Sequence, residues 1–253
     1  MTYSINKLEE WLGVAEKAAN DAGSFLASIK KRDNIRADFT KDVKILADLQ
    51  SEKIILGKLK KETNFDILSE EKGLLLGSSS RGLCWIVDPL DGTVNFLRGI
   101  PISCVSIGLW DDNRPLLGVV YDFNKDELFT GILGVSAWLN HKKIKVSTIP
   151  KKEKAVLCTG FPAATDFSTK NLGQFVKKVQ DFKKVRLLGS AALSLAYVAS
   201  GRADAYIEDG IKHWDIAAGV ALVKSAGGMV QIKTAANKGS CFVGASNNKF
   251  PLK

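Results

Sequence analysis

Four carboxylates stand where a chain can bring side chains together. Glu70 follows a short apolar run, Phe65-Asp66-Ile67-Leu68, and Asp88 ends a longer one, Trp85-Ile86-Val87. Asp91 comes shortly after Asp88, and Asp215 opens a helical pattern far downstream. Each sits at an element boundary, where side chains from different elements converge. Hard oxygen ligands suit Mg²⁺, which keeps several waters and shares them with substrate phosphates. Two or more such ions lower a water's pKa and stabilise both oxygens of an in-line displacement. Asp88, beneath three apolar neighbours, needs a cation or strong donors, because an unpaired buried carboxylate is costly. Gly92 and Thr93 follow at a helix start, where backbone N–H groups favour an anion. Together these features predict phosphoryl transfer to water, carried by positioning and charge stabilisation.

Taken singly, the same residues have plainer readings. Asp88-Pro89 and Asp91-Gly92 are ordinary turn dipeptides, and Pro89 is expected to stop the strand. Glu70-Glu71 fits a solvated loop, Glu208 a solvated strand end, and Asp48 an exposed helical residue that favours the dipole. The chain has two histidines, His141 and His213, so a histidine base has few candidates. His213 beside Trp214 reads as a helix-entry side chain rather than a catalyst. No Gly-x-Ser-x-Gly elbow supports serine hydrolysis. The Gly- and Ser-rich stretch 73–82 reads as a flexible connector; Leu83 stands where a Walker loop requires Lys.

The elements that must position these residues follow from hydrophobic spacing. Residues 4–29 form an amphipathic helix with Ser4 as a cap. A second helix begins near Ile45, with Leu46, Leu49, Leu56 and Leu59 on one face. Residues 102–110, 116–121 and 127–132 read as strands of an antiparallel meander. A polar hinge at 141–150 divides approximate subdomains 1–145 and 146–253. The second half alternates strand and helix, and the whole reads as a layered α/β (α+β) fold. At 253 residues the chain can bury a large core as one catalytic unit.

The formal net charge is +9, which fits anionic substrates and is compatible with nucleic acid. The basic residues are scattered and lack aromatic interleaving, so solvated faces are the simpler reading. The four cysteines stand singly, which indicates neither a zinc site nor a disulfide framework. Without a signal-like run or a membrane span, the chain reads as cytoplasmic.

Two ordered signatures carry a resemblance. The first is Asp88-Pro89-Leu90-Asp91-Gly92-Thr93-Val94-Asn95-Phe96. The second is Trp214-Asp215-Ile216-Ala217-Ala218-Gly219, extended to Ala226-Gly227-Gly228. With Glu70-Glu71 as an acidic pair, the chain resembles the inositol monophosphatase family of metal-dependent, lithium-sensitive phosphatases across roughly 8–228. The resemblance implies the sugar-phosphatase αβαβα fold and hydrolysis of a small phosphorylated polyol, with myo-inositol 1-phosphate the leading substrate. Fructose 1,6-bisphosphate and histidinol phosphate are the alternatives. A role as an RNA- or transcription-associated binding protein is the alternative of another class.

The resemblance also implies roles. Glu70, Asp88 and the Leu90 carbonyl would hold one Mg²⁺; Asp88, Asp91 and Asp215 would hold a second. A third, weaker ion would lean on Glu70. Thr93, bonded to Asp48, would orient the attacking water, while the Gly92 and Thr93 amides receive the phosphate. Gly189, Ser190, Ala191 and Glu208, with Asp91 and Asp215, would meet the alcohol. A homodimer is implied as well. Arg98 and Ser225 depart from the family pattern, where His and Glu are common. The usual lysine ahead of Asp48 has only Arg36 and Lys41 as candidates, and the stretch after Gly228 looks short. Val94-Asn95-Phe96 favours the inositol-phosphatase-like members over the adenosine-bisphosphate and histidinol-phosphate groups.

Overall fold

The computed structural model describes residues 3–29, 46–78, 82–162, 165–234 and 240–252. Helix α1 (Ile5–Ser28) begins as its sequence predicts, with the Ser4 side chain accepting from the Lys7 N–H. Its buried stripe includes Leu8, Trp11, Ala15, Ala19, Ala22 and Leu26. Helix α2 is described over Leu46–Glu62. Its expected start at Ile45, and Arg36 and Lys41, lie outside the described residues. Leu46 and Leu49 do not face inward; both are exposed. The inner face instead carries Ala47, Asp48, Ser51, Glu52, Ile55, Leu56 and Leu59. Polar residues occupy its first half because that half meets backbone and hydroxyl groups rather than core.

Strands β1 (Asp66–Ser69), β2 (Gly73–Leu75) and β3 (Leu83–Asp91) come next, followed by α3 (Thr93–Arg98). The predicted meander then runs through β4 (Cys104–Asp111), β5 (Arg114–Asp122), β6 (Glu127–Ile132), β7 (Ser136–Leu139) and β8 (Lys142–Ile144). These eight strands make one sheet in the order β2-β1-β3-β4-β5-β6-β7-β8. Part of the expected connector is therefore strand: β2 pairs antiparallel with β1, Ile67 opposite Leu75. Pro89 does not stop β3 either. The strand runs on to Asp91 with a break in register, which accommodates a residue lacking an N–H.

The second half contains β9 (Val156–Thr159), α4 (Thr169–Val179), β10 (Lys184–Leu187), α5 (Ala191–Ala199), β11 (Ala205–Ile211), α6 (His213–Ser225), β12 (Met229–Thr234) and β13 (Cys241–Ser246). Five strands form a second sheet in the order β10-β9-β11-β13-β12. The stretch after Gly228, which looked short, supplies two of them. Phe250 and Leu252 then pack with Ala155, Leu157, Phe182 and Ala205.

Side chains separate the layers. Helices α1 and α2 cover one face of the large sheet, against Trp85, Val87, Ile107, Leu109 and Leu117. Helices α5 and α6 fill the space between the sheets, with Ile86, Val120 and Phe129 on one side and Tyr206, Val243 and Ala245 on the other. Helix α4 meets the outer face of the small sheet through Val179. The order is αβαβα.

A row of glycines sets the depth of α6. Gly108, Gly118 and Gly131 lie opposite one another across β4, β5 and β6. A Cβ on Gly118 would fall 2.3 Å from the Ala218 carbonyl oxygen, so only glycine admits the helix this closely. The Trp110 indole N–H donates to Ala217 O at 3.1 Å and fixes the same turn. Thus seated, α6 carries Asp215 in its first turn toward the end of β3. No helix among the described residues is long and apolar enough to cross a membrane.

Candidate active site

Residues three apart on a regular strand point to opposite faces. In β3, Asp88 opposes Ser106 while Asp91 opposes Cys104, so β3 holds one more residue than its partner between these pairs. That bulge turns both carboxylates to the side of α5 and α6. Leu90 turns the other way, into the α1–α2 core. The freed backbone finds local partners. Leu90 N–H donates to Asp88 Oδ1 at 3.0 Å, and Ser51 Oγ donates to Pro89 O at 2.7 Å.

A cavity of about 230 Å³ lies beyond the strand end, lined by Glu70, Asp88, Asp91, Glu208 and Asp215. Leu90, Gly92, Thr93, Gly189, Ser190 and Ala191 line it too. The site residues expected from the sequence therefore meet at one place; Asp48 stands behind Thr93, buried rather than exposed. The Asp48–Thr93 bond is long at 3.4 Å, and Thr93 Oγ1 lies closer to Leu90 O, at 2.9 Å. A hydroxyl has one proton, so the carbonyl and Asp48 compete for it.

Gly92 joins β3 to α3 at φ 84°, and a Cβ there would sit 2.7 Å from Ile102 O. Asn95 Nδ2 donates to Ile102 O and Leu188 O, both at 2.8 Å, and ties α3 to the turn before α5. At that turn Ser190 caps α5, its Oγ accepting from Leu193 N–H and donating to Asp91 Oδ2. Ala192 N–H also donates to Asp91 Oδ2, at 2.8 Å. Asp91 thus joins the large sheet to the positive end of α5. Asp215 Oδ2 accepts from Lys212 N–H at 3.2 Å and closes the start of α6. His213 enters α6 with its ring edge-on to Trp110, centroids 4.8 Å apart, and burial lowers its pKa. It packs as a helix-entry residue.

Among the described residues, no Lys, Arg or His lines the cavity, and the carboxylates respond. Burial, then Glu70, Asp91 and Asp215, raise Asp88 well above the usual carboxylate range. Burial, then Asp91 and Glu70, do the same to Asp215. Asp91 is raised by burial, against the pull of its Ser190 and Ala192 bonds. Burial pushes Glu208 up to about 7, opposed by the bond from Tyr206 and reinforced by Asp91. Among the described residues, no three of the metal-ligating side chains are close enough to hold one ion as they stand. The donor set itself, all oxygen and all anionic, fits hard divalent cations and has no other counter-charge among the described residues lining the cavity.

Several residues in and behind the site escaped the sequence reading. Tyr206 Oη donates to Glu208 Oε2 at 2.7 Å; its position two residues earlier on β11, hence on the same face, was the available signal. Gly160 leaves room for that carboxylate, since a Cβ would fall 2.5 Å from Glu208 Oε2. A second cavity, about 350 Å³, adjoins the first and shares Thr159, Gly160, Phe161 and Glu208 with it. Phe161 and Phe175 form its aromatic wall, ring centroids 4.6 Å apart. These residues lie on separate elements, and nothing in their local spacing signals a shared chamber.

An αβαβα sandwich that gathers carboxylates at a strand end and two helix starts defines a class of phosphoric monoester hydrolases. Within that class, residues 7–245 match the inositol monophosphatase family, and the chain belongs to it. The family is generally metal-dependent and acts on phosphorylated polyols. A protein of Xylella fastidiosa named Nus factor SuhB is 41% identical over 228 residues, 87% of this chain and 80% of its own. An inositol-1-monophosphatase of Synechocystis is 40% identical over 233 residues, 90% of this chain and 80% of its own. The crystal structure of the extragenic suppressor protein suhB from Bartonella henselae superimposes with a TM-score of 0.83 at 35% identity, covering 95% of both chains.

Proposed function

We propose that this protein is a Mg²⁺-dependent phosphatase of small polyol phosphate monoesters, with myo-inositol 1-phosphate its leading substrate. The observation that carries the reading is five carboxylates around one cavity that, among the described residues, no cationic side chain lines. Glu70, Asp88, Asp91, Asp215 and the Leu90 carbonyl would hold two Mg²⁺, and a third ion would lean on Glu70. Bound there, the ions supply charge neutralisation for the phosphate and acidify a water.

The chain's own groups do the rest. The Gly92 and Thr93 N–H groups at the start of α3 receive the phosphate. Thr93 Oγ1 orients the attacking water; its proton turns to Asp48 Oδ1, 3.4 Å away, when the Leu90 carbonyl is engaged elsewhere. Glu208, held by Tyr206, accepts hydrogen bonds from the polyol hydroxyls beside Ser190 and Ala191. A homodimer completes this reading, and sedimentation checks it.

The deciding experiment is a kinetic panel on inositol 1-phosphate, fructose 1,6-bisphosphate and histidinol phosphate, with Mg²⁺ and with EDTA. The highest kcat/KM is expected for inositol 1-phosphate, and no turnover in chelator. Turnover that persists in EDTA would overturn the metal assignment; preference for another ester would move the substrate.

A second reading is favoured by the Xylella relative's name, Nus factor, together with the +9 charge. It is RNA binding in transcription, independent of the hydrolytic site. RNA affinity should then fall steeply with salt and survive Asp91→Asn. Absence of binding at low salt rules it out.

A further inference from the structure

The inner face of α2 is polar where it meets the site and apolar beyond it. Asp48 Oδ1 lies 3.4 Å from Thr93 Oγ1, and Ser51 Oγ holds Pro89 O in the β3 bulge. Glu52, one turn after Asp48, is fully buried. Its Oε1 accepts from Ser69 Oγ and, at 3.2 Å, from Lys72 N–H. Those two residues bracket Glu70 and Glu71. The Glu70 N–H in turn donates to Val87 O at 3.2 Å, next to Asp88. One helix thus grips the turn bearing Glu70, the bulge between Asp88 and Asp91, and Thr93.

Burying a carboxylate costs several kcal/mol unless its partners are excellent. Those of Glu52 are incomplete. Its Oε2 has no hydrogen bond among the described residues, and the Lys72 ammonium stands 3.8 Å away on a half-exposed side chain. Its Oε1 is nonetheless committed to two groups of the turn that bears Glu70. The acceptor oxygen serves something other than packing.

We propose that Glu52 is a positioning residue for Glu70: by holding Ser69 and Lys72 it sets where the Glu70 carboxylate stands relative to Asp88. This rests on the metal site of the proposed function. The role is geometric and belongs to the acceptor oxygen, so an amide should replace the carboxylate.

Titration calorimetry with Mg²⁺ alone, on folded full-length variants, tests it. Removing a partner that orients a metal ligand typically weakens the metal by about 10- to 100-fold. Glu52→Met should therefore weaken Mg²⁺ by about tenfold, while Glu52→Gln keeps most of the wild-type affinity. Unchanged affinity in Glu52→Met overturns the proposal, as does an equal loss in Gln and Met. Ser69→Ala cuts one tether from the other end and should also weaken Mg²⁺; if Glu52→Met does not fold, an unchanged Ser69→Ala overturns the proposal. A Glu70→Gln variant that binds as tightly as wild type overturns it too, yet leaves the proposed function standing on the aspartates. A wild-type chain that takes up no Mg²⁺ removes both.

Discussion

Around Asp91 the side chains are buried and tied: Ser190, Ala192 N–H and Cys104 all reach its carboxylate. Across Glu208 the neighbouring cavity is walled by Phe161, Phe175 and Leu172, and the helix behind it, α4, has no buried residue. Phe167 and Val176 on this side are exposed. The first cavity is held by hydrogen bonds between four elements, α2, β3, α3 and α5. The second is formed by apolar contacts that tolerate exchange. Under the proposed function, the difference would separate chemistry from choice of alcohol: the reactive groups would sit in the tied cavity, and the wall meeting a varying substituent in the looser one.

Asp91→Asn presses hardest on this contrast. Turnover should fall by at least about 100-fold, while the metal-free variant melts higher than wild type because one mutually repelling carboxylate is gone. An active variant would put Asp91 on the tolerant side, and one that loses its fold would make its bonds to Ser190 and Ala192 structural rather than catalytic.

The next effect is on pH. The folded-state pKa of Glu208, about 7, lies above its ordinary 4.5. Between those values the folded state binds more protons than the unfolded one, so stability falls as pH rises through this window. In EDTA, Glu208→Gln should remove up to about 3 kcal/mol of that fall between pH 4.5 and 7, from about 1.36 kcal/mol per pKa unit. Denaturant melts of both proteins across the window measure it, and parallel curves would show that Glu208 is not held as the structure places it.

A smaller effect is expected in binding. Glu208→Ala should raise KM for inositol 1-phosphate by about tenfold, the loss of one or two charged hydrogen bonds, and leave a small aryl phosphate unchanged. Equal effects on both esters would make Glu208 structural. The smallest belongs to the aromatic wall. Phe175→Ala should alter KM for bulky esters by about threefold, a partial loss of apolar contact, with no change in Mg²⁺ affinity. A large loss of Mg²⁺ affinity would join the two cavities into one rigid unit.

What could be read from the sequence was local. Ser4 caps α1 through its own neighbours, and the meander is spelled by alternating runs and turn residues. The two signatures are short and contiguous, so Asp88, Asp91 and Asp215 were visible as letters. The misreadings depended on partners distant in the chain. Pro89 was expected to end β3, because the register that absorbs it belongs to β4. Leu46 and Leu49 looked like core, but the face of α2 was decided by hydroxyl, carbonyl and N–H groups of the strand ends and of the turn after β1. Strands β12 and β13 went unread; the outer four residues of β12 are exposed at a sheet edge, where no alternation is enforced.

The bulge in β3 has a consequence for what mutation can reach. Two aspartates separated by a single residue would also share a face, so the longer spacing is not needed to align them. What the added residue does is withdraw Leu90 from regular pairing and leave its carbonyl to Thr93. A carbonyl is the same whatever side chain hangs beside it. Under the proposed function, one ligand is therefore written as a length of chain rather than as an amino acid. Point substitutions at position 90 leave it standing, and deletion of one residue erases it while both aspartates remain.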